Sequence, residues 1–344
     1  MKNIIHLIPS KVIGGAEIAA ETTKDIKSDN FTFEVFYLSS ISYSKSIILS
    51  LFSVIQIFRN TYKLIKKNPD VLIVSLWKSC IAAYIISKIK TDIKIILFLH
   101  LPISSNKIDF FLTKLISRKA FQIWADSERT LKNRSEELKV NPKISKKIIS
   151  FKRLSIEENI DYVIKPKFIF WGRIHKQKRI DKAIKLIHKI ILSGYLDTEF
   201  LIIGPDCGEK NKLFNLVNSL GIKKNVVFKK EKSLERIIDL SKNYSFFLQL
   251  SDYEGMGMSV IESMQLGLIP VITNVGEISQ YCNNKKNSIV FENMTKTSQY
   301  LIKLINNPKI FKQLRKEAIS TWINSLTYKE DMKCNLELLS KNIQ

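Results

Sequence analysis

Cysteine is scarce and scattered. Cys80, Cys207, Cys282 and Cys334 form no Cys-x-x-Cys pair, which argues against a disulfide framework or a thiolate zinc site and fits a reducing cytoplasm. Histidine is equally sparse: His6, His100, His175 and His188 include no His-Glu-x-x-His. No Asp-x-Asp occurs anywhere, so the usual carboxylate clamp for a metal-bound diphosphate is missing. The first residues lack the apolar core of a signal peptide. The most lipid-like stretch, residues 47–58, falls well short of the roughly 20 residues that span a bilayer. It reads as a buried helix, with an interfacial membrane helix as the other reading. There is no basic arm or tail, no short repeat and no low-complexity tract.

Charge is what the sequence has in excess. Lys and Arg total 55 against 32 Asp and Glu, a net charge of +23 over 344 residues. Such an excess suits a polyanion: nucleic acid, an acidic membrane surface or a phosphorylated substrate. Residues 1–150 hold 24 basic and 12 acidic groups, net +12, and the remainder 31 and 20, net +11. The even spread counts against a dedicated DNA-binding segment. With 45% hydrophobic and 25% charged residues the chain has the balance of a folded protein, and its length predicts two domains at roughly 150 residues each.

Short apolar runs alternate with longer amphipathic ones, the pattern of βα units around parallel sheets. Strands are expected at residues 4–8, 31–38, 71–76, 94–99 and 121–125, with helices from Ala16 and across 108–117. The cycle restarts with strands at 168–171, 199–203, 225–228, 246–250 and 269–273, separated by helices at about 180–193, 210–220, 234–240 and 257–266. A polar, Lys-rich stretch, 150–167, lies between the halves and closes on Pro166. The expected fold is α/β, two doubly wound domains: 1–155, and 165–325, with a terminal helix at about 326–344 packing back on the first. In such sheets ligands meet the carboxyl ends of the strands.

Three segments carry candidate chemistry. In the first, a strand runs through Ile8-Pro9-Ser10-Lys11-Val12-Ile13 into Gly14-Gly15-Ala16-Glu17. Paired glycines opening a helix let an anion approach backbone N–H groups, although Gly-Gly is also ordinary turn chemistry. This is not GxGxxG, so a dinucleotide gains no support. In the second, Trp171-Gly172-Arg173 and Lys178 follow a strand and precede a helix. Arg173 and Lys178 can straddle one diphosphate and supply the charge a metal would otherwise bring; a solvated basic loop is the plain alternative. The third is the sharpest: Tyr253-Glu254-Gly255-Met256-Gly257-Met258-Ser259-Val260-Ile261-Glu262. Glu254 precedes the helix and Glu262 lies on it, so the two can address different parts of an extended ligand rich in hydroxyls. The helix N-terminus between them, at Gly257, Met258 and Ser259, offers N–H groups to a phosphate.

Glu254 and Glu262 with seven residues between them resemble the signature of retaining glycosyltransferase family 4, which has the GT-B fold of two Rossmann-like domains. The resemblance covers nearly the whole chain: Gly14-Gly15-Ala16-Glu17, Trp171-Gly172-Arg173 with Lys178 and Asp181, Leu201-Ile202-Ile203-Gly204, the double-Glu block, and Gly267-Leu268-Ile269-Pro270. It implies that Arg173 and Lys178 hold a donor diphosphate, that Glu262 binds ribose hydroxyls, and that Glu254 contacts the donor sugar. Backbone N–H groups near Gly14 and Gly15, and from Gly257 through Met258 to Ser259, would complete the phosphate cradle. His100, alone a structural histidine, matches the first-domain histidine that approaches the donor sugar. By this resemblance the chain is a metal-independent hexosyltransferase with no cofactor. Its partners would be a nucleotide sugar and a glycan or lipid-linked acceptor, in bacterial surface polysaccharide or lipopolysaccharide synthesis.

Three departures from the family pattern stand out. Arg179 occupies a usual Gly position and is expected to add charge beside the clamp, Leu250 replaces a common Pro, and residues 274–280 lack a second Gly, Pro and Glu. The charge has one further expected use. Arg59, Lys63, Lys66 and Lys67, with Lys114, Arg118 and Lys119, could hold the enzyme on the anionic cytoplasmic face of the inner membrane; an ordinary solvated face is the other reading. The competing class is a polyanion- or membrane-binding module on an inactive GT-B scaffold, against which the interspersed charges and the presence of Arg173, Lys178 and Glu254 count. No nucleic-acid partner is expected.

Overall fold

The computed structural model describes residues 1–11, 14–39, 47–154 and 164–343, without the side chains of 47–54. Val12 and Ile13 of the first glycine segment, residues 155–163 of the connecting stretch and most of the lipid-like side chains lie outside the described residues. The chain divides into two compact units, Met1–Arg153 with Leu326–Gln344, and Leu154–Ser325.

The first unit alternates strands and helices: β1 (Lys2–Ser10), α1 (Gly15–Glu21), β2 (Phe31–Ser39), α2 (Ile47–Lys66), β3 (Val71–Ser75), α3 (Ser79–Ile89), β4 (Lys94–Leu99), α4 (Lys107–Ser117), β5 (Ala120–Ala125), α5 (Glu128–Leu138) and β6 (Ser145–Ile148). All the strands pair in parallel, in the order β2-β1-β3-β4-β5-β6. β3 is wholly buried as Val-Leu-Ile-Val-Ser, the near-continuous apolar run that a parallel strand covered on both faces requires. Its neighbour α3 carries Ala82 and Ala83 inward, which lets helix and sheet approach closely. Asn106 and Ser127 cap α4 and α5 by accepting hydrogen bonds from the Asp109 and Thr130 amides, the usual remedy for orphan N–H groups at a helix start.

The C-terminal helix, Tyr328–Asn342, belongs to this unit. Thr327 and Glu330 form a capping box at its start. Tyr328, Met332, Leu336 and Leu339 are buried, Glu337 accepts from the Ser28 hydroxyl at 2.7 Å and the Asn30 amide at 2.8 Å, and Asp331 accepts from the Ser150 amide.

The second unit runs β7 (Lys167–Trp171), a 3-10 turn (Lys176–Lys178), α6 (Ile180–Leu192), β8 (Glu199–Ile203), α7 (Lys210–Ser219), β9 (Val226–Lys229), α8 (Leu234–Ser241), β10 (Phe246–Gln249), α9 (Met258–Gln265), β11 (Ile269–Ile272), α10 (Ile278–Tyr281), β12 (Ile289–Val290), α11 (Met294–Ile305) and α12 (Pro308–Ser320). Its parallel order, β12-β11-β10-β7-β8-β9, reverses direction between β7 and β10, and that switch point is where open α/β sheets leave a crevice. Stacked phenylalanines, Phe168 on Phe246 at 4.9 Å between centroids, form the core under α12 with Phe311. The sheets therefore have the expected doubly wound class. β6 and β12 add edge strands that the pattern does not predict: Ser-Lys-Lys-Ile is polar and largely exposed, and β12 has two residues, too few for any period.

Candidate functional site

Both loops at the second unit's switch point carry expected site residues. After β7 the chain passes Gly172 and Arg173 into the 3-10 turn that ends at Lys178. After β10 it passes Glu254 into α9. Lys178 Nζ donates to Glu254 Oε1 at 2.6 Å, with 12% and 8% of the two side chains exposed. Gln249, the last residue of β10, donates to the same Oε1 at 3.1 Å. Both bonds fall on Oε1, so Glu254 Oε2 and two of the three Lys178 N–H groups have no partner among the described residues. The pair therefore keeps free acceptor capacity on Glu254 and free donor capacity on Lys178.

Two loop-to-loop hydrogen bonds, one backbone and one from a side chain, hold the two segments in register. The Asp252 amide donates to the Gln177 carbonyl at 2.9 Å, and Gln177 Nε2 donates to the Tyr253 carbonyl at 2.6 Å. Glu254 is further fixed from behind by the loop after β11: the Glu277 amide donates to the Gly255 carbonyl, and a Cβ on Gly276 (φ +55°) would overlap the Glu254 carbonyl oxygen. Sequence comparison with the family pattern marks residues 274–280 as divergent, yet Gly276 and Glu277 still brace the site.

Gly257 starts α9 in the left-handed region, φ +67°. A Cβ there would sit 2.8 Å from Ile278 and 2.9 Å from the Tyr281 hydroxyl. That hydroxyl donates to the Met256 carbonyl at 2.6 Å. Burial, then Cys282, Glu254 and Glu277, hold its pKa well above the ordinary phenol value, so Tyr281 stays a donor at any physiological pH. The amides of Met258 and Ser259 in the first turn have no intrahelical acceptor, as at every helix start. Gly172 lies against Ser259: a Cβ on Gly172 would be 3.9 Å from Ser259 Oγ.

Glu262 sits one turn further along α9, 3% exposed. Its Oε2 accepts from the Trp171 indole N–H at 2.8 Å. A surface carboxylate on an amphipathic helix is therefore not what Glu262 is. It is an interior acceptor wedged between β7 and α9, where an ionised group is costly to hold without partners. Arg173 differs in being exposed, with no ion pair among the described residues.

Arg179 departs from the expectation that it adds charge to the clamp. Its guanidinium is spent on Asp181, at 3.0 Å, and on Asp252, at 3.0 Å, and these hydrogen bonds, Asp181 first, raise its pKa. The residue has φ +46°, a conformation glycine adopts without strain; the two carboxylates hold an arginine there instead.

Gly14, Gly15 and His100 lie in the first unit. Gly14 precedes α1 in an extended conformation, and a Cβ on it would run into the Glu17 carboxylate, so that carboxylate already leans over the helix start. His100, just past β4, belongs to a buried polar row across four adjacent strands. His6 Nε2 and His100 Nε2 lie 2.8 and 2.9 Å from the same Ser75 Oγ, and His100 Nδ1 faces Asp126 Oδ2 at 3.8 Å. The Phe98 and Phe151 rings flank it at 4.3 and 5.6 Å. Both His100 ring nitrogens thus face protein groups. Burial, and then His100, lower the His6 pKa to about 3. Of this row the motifs mark only His100; His6, Ser75, Asp126, Gln249 and Tyr281 carry no motif, and the signal for His6 and Gln249 is a polar residue inside an otherwise apolar strand, β1 and β10.

Two doubly wound units, each on a six-stranded parallel sheet, have the GT-B class of fold, and comparison with solved structures agrees. HepE of Anabaena, in complex with UDP and glucose, superposes with a TM-score of 0.78 over 99% of this chain and 100% of that one at 14% identity. A glycosyltransferase from Rickettsia africae ESF-5 gives 0.73 over 99% and 98% at 17% identity. The apo form of the lipopolysaccharide outer core galactosyltransferase WaaB gives 0.66 over 99% and 100% at 17% identity. No curated protein matches. Residues 165–321, nearly all of the second unit, match the family model described as glycosyl transferases group 1.

Proposed function

We propose that the protein is a retaining glycosyltransferase. It moves a hexose from a nucleotide diphosphate sugar to a glycan or lipid-linked acceptor in bacterial surface polysaccharide or lipopolysaccharide synthesis, on the cytoplasmic side of the membrane and without a metal. The observation that carries this reading is the Lys178–Glu254 pair beside the α9 N-terminus within the residues that match the group 1 family model. HepE's complex with UDP and glucose and the lipopolysaccharide role of WaaB support the donor class and the pathway.

In this mechanism the sugar–phosphate bond breaks while negative charge builds on the departing diphosphate. Lys178 and Arg173, with the Met258 and Ser259 amides, stabilise that charge by being in place before it forms. Glu254 Oε2 accepts from a sugar hydroxyl and orients the ring, and Glu262 accepts from the ribose. The acceptor hydroxyl attacks from the same face and passes its proton to the leaving phosphate, so configuration is retained. Gly14, Gly15 and His100 are assigned to the donor on the resemblance alone.

The test is thermal shift of the purified chain against UDP-, GDP-, ADP- and CMP-sugars in the presence of EDTA. One nucleotide should stabilise it, by about 2.7 kcal/mol at one hundred times Kd, and Glu262→Ala should abolish the response. A flat response together with tight, salt-sensitive nucleic-acid binding would replace this reading with the polyanion module.

A further inference from the structure

On one face of the first unit, α3 packs between α2 and α4, and the three helices form a continuous layer. No Asp or Glu occurs in α2 or α3. The one carboxylate of α4, Asp109, is buried and paired with the buried Arg134 at 3.1 Å, which is why α4 shows no negative charge to solvent. Exposed carboxylates resume on α5, with Glu136.

On the same outer surface, large apolar side chains stand in water. Ile55, Phe58 and Tyr62 of α2 are 62, 54 and 59% exposed, and Ile108 and Phe111 of α4 are 59 and 64% exposed. On α2 the spacing 55, 58, 59, 62, 63, 66 follows one helical face, so Arg59, Lys63 and Lys66 stand among the apolar groups rather than opposite them. Lys66 lies over the Tyr62 ring at 4.7 Å and Lys114 over the Phe110 ring at 5.1 Å. A solvated face has no use for exposed Phe and Ile, and a duplex phosphate backbone offers them nothing to enter. Aromatic and aliphatic side chains interleaved with cations, with no carboxylate between them, complement a surface that is apolar below and anionic at its headgroups.

We propose that the α2–α4 layer docks on an anionic lipid bilayer, and that the first unit thereby meets a lipid-linked acceptor at the headgroup level. This deepens the transfer reading above and rests on it for the acceptor. Contact is peripheral: among the described residues no helix is long and apolar enough to cross a membrane.

The experiment is co-sedimentation of the full chain with phosphatidylcholine vesicles, with and without 30% phosphatidylglycerol (a composition chosen on the order of bacterial anionic content). Binding is expected with the anionic vesicles alone and should weaken as salt rises. Arg59→Gln/Lys63→Gln/Lys66→Gln should lower the partition constant roughly 100-fold, about fivefold per cation. Phe58→Ser/Phe111→Ser should lower it at high salt as well, because that contribution is not electrostatic. All of these positions are exposed, and circular dichroism with the nucleotide-sugar thermal shift, read on the same samples, verifies folding. Equal binding by the variants, or no preference for anionic vesicles, overturns the proposal, as does tighter binding to a single-stranded oligonucleotide than to vesicles. Vesicle binding without any nucleotide response would instead sink the transferase reading and leave the docking face standing.

Discussion

Lys178 and Arg173 have the same charge and proposed role but different surroundings, and this separates their phenotypes. Removing either should lower turnover by about 10²-fold. Lys178→Ala also leaves Glu254 largely buried without its cation, which costs about 3 kcal/mol; Arg173→Ala removes an exposed, unpaired group and should leave the melting temperature unchanged. Equal thermal stability of the two variants would show that the Lys178–Glu254 pair is not formed in solution. His6 gives a second residue-scale test. Unfolded, it titrates near 6.5; in the fold, burial and then His100 bring it to about 3. Between those values the unfolded chain binds a proton that the folded chain does not. Stability is therefore fully present above pH 6.5 and is lost as pH falls toward 3, at up to about 1.4 kcal/mol per pH unit. Urea titrations from pH 7 to 4 should show this slope shrink in His6→Gln; an unchanged slope would place the acid sensitivity elsewhere.

Among the elements, α9 has the most demanding start. Gly257 combines a left-handed backbone with a wall made by Ile278 and Tyr281. Gly257→Ala is expected to cost about 2 kcal/mol and to weaken nucleotide binding by turning the Met258 and Ser259 amides away. A Gly257→Ala variant with unaltered nucleotide affinity would mean that the helix start does not hold phosphate. Most strands and helices here were legible from period alone, since buried parallel strands are short unbroken apolar runs and their helices amphipathic. β6 and β12 were not, because their pairing comes from the neighbouring strand and not from their own side chains. The Arg179 position shows the same limit: its family-type glycine signals a left-handed turn, but that Asp181 and Asp252 would hold an arginine there depends on a loop 73 residues away.

For the whole molecule, the C-terminal helix is part of the first unit although it follows the second in sequence. A chain ending at Ser325 loses the burial of Tyr328, Met332, Leu336 and Leu339, worth about 8 kcal/mol at roughly 2 kcal/mol each, comparable with the entire stability of a domain. Limited proteolysis of that truncation should degrade residues 1–153 at physiological temperature. A protease-resistant first unit would show that the helix is an accessory.

Hydrophobic period and neighbouring residue types are enough for the alternation of elements, the two-unit plan and the local chemistry of residues that lie side by side, above all Glu254 to Glu262 with the glycines between them. Local geometry follows from local residue choice, so those features survive without knowledge of distant partners. Which polar groups meet is settled only by the tertiary fold. Lys178 finds Glu254 across 76 residues, Trp171 finds Glu262 across 91, and His6 finds Ser75 across 69. The tertiary structure also decided that Asp109 turns inward to Arg134 and leaves a carboxylate-free face outside. Such pairings are set by strand order and register, which hydrophobic period does not encode; two sequences with the same pattern of apolar runs can place the same lysine on a solvated loop or against a buried carboxylate.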